Sequence, residues 1–172
     1  MKGSQRVPRG DRRQAEAIAR LVQAVKESPH LGAAVITGSF ARGRVDPLSD
    51  IDLLLIANEG DFERAWKDRR KLHVTGCLLA WDNRSEDRPV GAHKWITPDL
   101  VLVECLISAP SGGARLAEPF EMLTGDRPLV ERFPRRPPID RSEMTPEGLH
   151  PVELAYDRLK EELRRHLGGH AR

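Results

Sequence analysis

Residues 38–55, GSFARGRVDPLSDIDLLL, concentrate the side chains best suited to chemistry. Asp50 and Asp52 are separated by one residue, so on a strand both carboxylates leave the same face. Two acids a few ångströms apart repel each other, which costs stability unless a cation lies between them. With a divalent ion bound, the same pair is a set of hard oxygen ligands. Ten residues separate this motif from Gly38-Ser39. A glycine there permits a sharp turn and close approach of backbone to a ligand, and a serine hydroxyl can donate to a phosphate oxygen.

These residues need elements to hold them. DRRQAEAIARLVQAVKE, residues 11–27, carries Ile18, Leu21, Val22 and Val25 at helical spacing, with Asp11 placed as N-cap. Ser28-Pro29 closes that helix. LGAAVIT, 31–37, is short and apolar and reads as a buried strand broken by Gly38-Ser39. SFARG makes a brief helical turn before Asp46-Pro47. A second strand spans 49–57, a charged helix 60–72, and a third strand 73–81, with a loop over 82–89. Residues 92–97 and 100–107 form a hairpin around Pro98-Asp99. From Ala109 glycine and proline recur, and RFPRRPPIDR reads as an irregular linker or extended wrap. Val152, Tyr156, Leu159, Leu163 and Leu167 mark one face of a last helix over 150–167. The predicted class is α+β: a mixed β-sheet flanked by helices, with a core over 1–108 and a Pro/Gly-rich segment plus C-terminal helical extension, 109–172, packed on it.

Gly38-Ser39 followed by Asp50-Ile51-Asp52-Leu53 resembles the signature of the nucleotidyltransferase superfamily, the DNA polymerase beta-like group. GSFARG with SDIDLLL is particularly similar to the minimal bacterial nucleotidyltransferases and to antibiotic nucleotidyltransferases of the aminoglycoside and lincosamide type. The resemblance implies Mg²⁺, with Mn²⁺ as an alternative, held by Asp50 and Asp52 against the phosphates of an NTP, ATP being the default. It implies that Gly38 and Ser39 cradle those phosphates. It also implies a third acid on a neighbouring strand. Two residues qualify: Glu104, within the apolar run VLVECLI where an unpaired charge is costly, and Asp99, which also reads well as a turn. Glu104 is favoured, although the superfamily usually has aspartate there. The implied activity moves a nucleoside monophosphate to an acceptor hydroxyl and releases pyrophosphate.

Arg42, and less strongly Arg44, are placed to clamp a triphosphate; a solvated loop is the plain alternative. His73 and His93 read as structural, Lys94 as solvated or reaching a phosphate. Trp66, Trp81 and Trp95 read as core packing rather than stacking on a base. The plain reading of Glu104 is an ion pair with a lysine or arginine.

Composition sets limits. The chain has 172 residues, 39% apolar and 31% charged, with net charge +2, so bulk nucleic-acid binding is not indicated. Basic excess is local, at residues 1–13 and 132–141. Cys77 and Cys105 each sit in an apolar run and read as buried reduced thiols. No apolar segment follows the basic N-terminus and no run approaches a membrane span, which places the chain in the cytosol. Two rival functions have the same fold: an antitoxin-type protein with a helical toxin-type partner or a second copy as homodimer, and a degenerate nucleotide-binding module. The acceptor is not identified by the sequence.

Overall fold

The computed structural model describes residues 10–138 and 150–168. The basic stretch before residue 10, and residues 139–141 of the arginine-rich segment, lie outside the described residues. The chain divides into two units, Met1–Pro138 and Ile139–Arg172.

Helix α1, Arg12–Glu27, begins with a capping box. The Gln14 amide N–H donates to Asp11 Oδ1 at 3.0 Å, and the Asp11 N–H donates to Gln14 Oε1 at 2.9 Å. Ala17, Ile18, Leu21 and Val25 form its buried stripe. Strand β1, Leu31–Ile36, leads into the four-residue helix α2, Gly38–Ala41, and then strand β2, Ile51–Ala57. Helix α3, Phe62–Asp68, ends in a 3-10 turn, Arg69–Leu72. Strands β3, Leu79–Arg84, β4, Val90–Ile96, and β5, Leu102–Ser108, follow. Beyond them come β6, Leu116–Ala117, β7, Glu121–Gly125, helix α4, Arg127–Glu131, and β8, Arg135–Arg136. Helix α5, Pro151–Gly168, belongs to the second unit.

Six strands form one mixed sheet in the order β3-β4-β5-β2-β1-β7; β6 and β8 pair separately. Only β2 and β5 of the six are parallel neighbours, joined by the long crossover through α3, β3 and β4. The α+β reading, with a mixed sheet, flanking helices and a C-terminal helix, is what the chain adopts. One sheet face packs Ile51, Leu53, Leu55, Val103, Cys105 and Ile107 against α1 and α3. On the other face Ala33, Val35, Leu54 and Ile56 pack against Leu116, Val130 and Phe133.

The third strand starts later than the sequence suggests. Residues 73–78 turn instead, with Gly76 at φ +88 donating to the His73 carbonyl at 2.9 Å. The strand then runs on through Asp82, Asn83 and Arg84, read as loop from their polarity; an edge strand tolerates them because one flank meets solvent. The same shift leaves Cys77 exposed, against expectation, while Cys105 is buried; both are free thiols. In the Pro/Gly-rich stretch, β7 adds itself to the outer side of β1, with Met122 opposite Val35. Among the described residues no helix is long and apolar enough to cross a membrane.

Candidate functional site

Parallel pairing of β2 with β5 sets Asp52 directly opposite Glu104, and antiparallel pairing of β4 with β5 sets Lys94 opposite Glu104. Lys94, Glu104 and Asp52 therefore form a row across three adjacent strands on one sheet face. Trp81 on β3 extends the row past Lys94. Asp50, buried, lies just before β2, two residues from Asp52. The favoured third acid is thus beside the pair. Asp99 is instead in the β4–β5 turn, lining a cleft against α1 with Arg13, Glu16 and Arg20.

On the other side of Asp52 stands the glycine turn. The Thr37 N–H donates to the Asp52 carbonyl at 2.9 Å and prolongs the β1–β2 ladder to the point of the turn. Gly38 adopts φ +64, and a Cβ there would overlap the Asp52 carboxylate outright. Both facts demand glycine, and together they bring the turn's backbone onto the acid. Ser39 lies in the first turn of α2, and its carbonyl accepts from the Arg44 N–H at 2.9 Å. Arg42 and Arg44 have exposed side chains.

The loop carrying Asp50 is fastened from α1, which sequence reading missed. Gln14, wholly buried, donates from Nε2 to the carbonyls of Asp46 at 3.0 Å and Ser49 at 2.8 Å. Arg13 donates to the Pro47 carbonyl at 3.0 Å and to the Asp99 carbonyl at 2.8 Å. The capping box was the available signal: the glutamine that closes the box also reaches the loop.

Glu104 is mostly withdrawn from solvent, 18% exposed, and pairs with Lys94, 17% exposed, at 3.7 Å between Oε1 and Nζ. That separation is an ion pair but too long for a good hydrogen bond. Among the described residues no three His, Cys, Asp or Glu side chains are grouped so as to hold a metal ion as they stand. The donor chemistry nevertheless suits Mg²⁺: Asp50, Asp52 and Glu104 are hard oxygen donors, and the Asp52 carboxylate lies against the Gly38 backbone where a Cβ would otherwise stand. The negative charges of Glu104 and Asp52 also register on Cys105, whose thiol is pushed up, first by complete burial and then by those two carboxylates.

His73 and His93 lie elsewhere. His93 precedes Lys94 on β4 and points to the helix-covered face, opposite Cys105 in register. Its Nδ1 lies 2.7 Å from Asp82 Oδ1, and its Nε2 lies 2.8 Å from His73 Nε2. Arg69 donates to both Asp82 oxygens, at 3.0 and 2.7 Å. Burial pushes the Asp82 carboxyl up, but hydrogen bonds from Arg69 and His93 outweigh it and hold the group below its usual range. An ionised Asp82 requires the proton on His93 Nδ1, so His93 Nε2 accepts and His73 Nε2–H donates. Both imidazoles are lowered from their ordinary value, by burial first, and for His73 next by the charge of His93. Trp66 and Trp95 are packed in the core on this same face, as the sequence suggested.

Compared with models of protein families, residues 18–83 match the nucleotidyltransferase domain. The matched span contains Gly38, Ser39, Asp50 and Asp52 and ends before Lys94 and Glu104. No curated protein matches the chain significantly.

Proposed function

We propose that this chain, residues 18–83 of which match the nucleotidyltransferase domain, transfers a nucleoside monophosphate from an NTP, ATP by default, to an acceptor hydroxyl. The observation that carries the reading is the row of Asp52 and Glu104 in register beside the Gly38 turn. In this reading Asp50, Asp52 and Glu104 hold Mg²⁺ or Mn²⁺, and Gly38 and Ser39 cradle the phosphates, with Arg42 at the loop as a further phosphate contact. The divalent ion supplies charge neutralisation on the triphosphate and a lowered barrier to losing pyrophosphate. In this reading Glu104 also accepts the acceptor's hydroxyl proton. The acceptor oxygen forms its bond to the α-phosphorus as the bond to the bridging oxygen breaks, and pyrophosphate leaves. Asp52, fixed between the turn and β5, keeps the reacting groups in line.

The test is pyrophosphate release from ATP with Mg²⁺ across small-molecule, protein and nucleic-acid acceptors, for the native chain and for Asp52→Asn. Release that needs an acceptor and disappears in the variant supports the reading. Absence of nucleotide binding and of metal binding by calorimetry, with the fold intact, rejects it.

The Lys94–Glu104 pair favours a second reading, a degenerate nucleotide-binding module, because it occupies the third acid. The same assay separates the two: such a module binds ATP and releases no pyrophosphate. Helix α5, with exposed Leu159 and Leu163, offers a face for the antitoxin-type or homodimer variant of that reading. A cytosolic location belongs to either.

A further inference from the structure

We propose that Arg135, laid on the ring of Phe120, clamps the leaving pyrophosphate at the end of the site away from Glu104. This deepens the nucleotidyltransferase reading of the site and rests on it.

The row of side chains that carries the acids continues across the sheet. Asp52, Leu54 and Ile56 share one face of β2, and Leu54 and Ile56 pack there with Ala33 and Val35 of β1. Leu54 opposes Val35, and the ladder runs on to the Thr37 N–H, which donates to the Asp52 carbonyl. On the outer side of β1, Met122 opposes Val35 and Glu121 opposes Ile36. One residue further along both chains, Phe120 comes level with Thr37, immediately before the Gly38 turn. Its side chain packs against the same core cluster as Leu54 and Ile56, so it lies on the face that carries Asp52. Two strand spacings, about 10 Å, separate it from Asp52, with the residue that leads into the glycine turn between them.

The small sheet brings a guanidinium to that point. Leu116 on β6 opposes Arg135 on β8, and buried Leu116 anchors the pair in the same core cluster. The Arg135 Cζ stands 4.6 Å from the centre of the Phe120 ring, a cation–π contact. Its acid neighbour, Glu118 Oε1, is 3.9 Å from Arg135 Nε, outside hydrogen-bond range, and that side chain is 56% exposed. Arg69, by contrast, closes on both Asp82 oxygens at 3.0 and 2.7 Å. At Arg135 the ring, rather than a carboxylate, sets where the planar fork lies. Arg135 is beyond the span that matches the nucleotidyltransferase domain.

In-line displacement gives the position its meaning. A lone pair of the acceptor oxygen forms the bond to the α-phosphorus, and the hydroxyl proton passes to Glu104. The bond from that phosphorus to the bridging oxygen breaks, and its electron pair leaves with pyrophosphate. Attacking and leaving oxygens lie on opposite sides of the phosphorus. With Glu104 on the acceptor side, pyrophosphate departs past Asp52 and the Gly38 turn, toward Phe120 and Arg135. A guanidinium there meets two phosphate oxygens at once.

Calorimetry with Mg²⁺ present, using inorganic pyrophosphate, ATP and AMP as separate probes, tests the inference. Arg135→Gln should weaken pyrophosphate and ATP about tenfold or more and leave AMP unchanged, because AMP has no β- or γ-phosphate. Phe120→Leu keeps an apolar side chain in the core but removes the ring, and should weaken pyrophosphate about two- to fivefold; Phe120→Tyr should restore it. Glu118→Gln gives a route that does not depend on Arg135→Gln folding: with the opposing charge gone, pyrophosphate should bind about two- to threefold more tightly.

If the native chain binds ATP and pyrophosphate, Asp52→Asn releases no pyrophosphate from ATP, and Arg135→Gln keeps the native pyrophosphate affinity, the Arg135 inference falls and the transferase reading stands. If Arg135→Gln loses AMP and pyrophosphate equally, or Glu118→Gln leaves pyrophosphate binding unchanged or weaker, the inference falls as well. If the native chain binds neither ATP nor pyrophosphate, both fall together.

Discussion

Two polar clusters share strand β4 and differ in what stands beside them. On the helix-covered face, Arg69, Asp82, His93 and His73 form a chain of contacts, each link 3.0 Å or shorter. On the opposite face, Lys94 and Glu104 stand at 3.7 Å beside Asp52. The first cluster has used its hydrogen-bonding capacity on itself and ties β3, β4 and the 3-10 turn together. The second sets carboxylates beside a glycine turn whose backbone lies against one of them. A cluster that ties strands and turn together serves the fold; carboxylates gathered at such a turn are what the proposed nucleotide site calls for.

That contrast can be broken by exchange of effects. The largest expected change is in activity: Asp52→Asn should lower transfer by at least about a hundredfold, the scale of losing one preorganised electrostatic contact in a reaction centre, with the thermal midpoint little changed. Steady-state pyrophosphate release and a melting curve on the same sample check it. If the midpoint drops sharply, Asp52 serves the fold and the contrast is wrong. Next, Gly38→Ala should remove activity and also destabilise the chain, because the new methyl meets Asp52 and φ +64 is disfavoured for alanine. Reading both quantities distinguishes it from Asp52→Asn, which should spare stability.

His93→Ala should show the reverse pattern, losing about 2–4 kcal/mol from broken buried hydrogen bonds and a cavity. Activity per folded molecule should persist, as measured by urea unfolding and by assay below the transition. A pH series gives a smaller effect with the same origin. His73 and His93 are lowered in the folded chain, so near and below neutral pH the unfolded chain binds more protons. Their contribution is therefore complete above the unfolded imidazole value of about 6.5 and is lost as pH falls through the lower folded values. Asp82, Arg69 and Arg70 are the charges facing the pair, and Asp82, lowered itself, weakens the network only at more acid pH. Melting curves from pH 8 to 5 should fall for the native chain and flatten for His93→Gln. Smallest is Gln14→Ala, about 1–2 kcal/mol, which releases the loop before Asp50 and should raise the Michaelis constant for ATP more than it destabilises the fold.

Residues 11–57 were legible because local chemistry dictates them. A capping box starts α1, a glycine forced to positive φ ends β1, and two acids at strand spacing open β2. The face shared by Asp52 and Glu104 could be anticipated only as an alternative to Asp99, since register decides it. Register between β2 and β5 depends on a crossover through three elements, not on neighbours in sequence. For the same reason Lys94 read as solvated: its partner is ten residues away, across the turn at Leu100, whose φ of 60 no composition rule foretells. The β3 boundary slipped because apolar runs mark strands on two-sided burial, and an edge strand lacks it. β7 was hidden in a Pro/Gly-rich stretch where only pairing with β1 makes a strand.

The unequal placement of the two thiols gives the molecule an internal gauge. Cys77 is open to a maleimide, whereas Cys105 is sealed beneath the sheet and held protonated. A native sample should therefore take one label per chain, and the second should appear only when β5 is torn from its neighbours. A fluorophore at the first position reports on the β3 edge, and the rate of the second modification times the opening of the strand that carries Glu104.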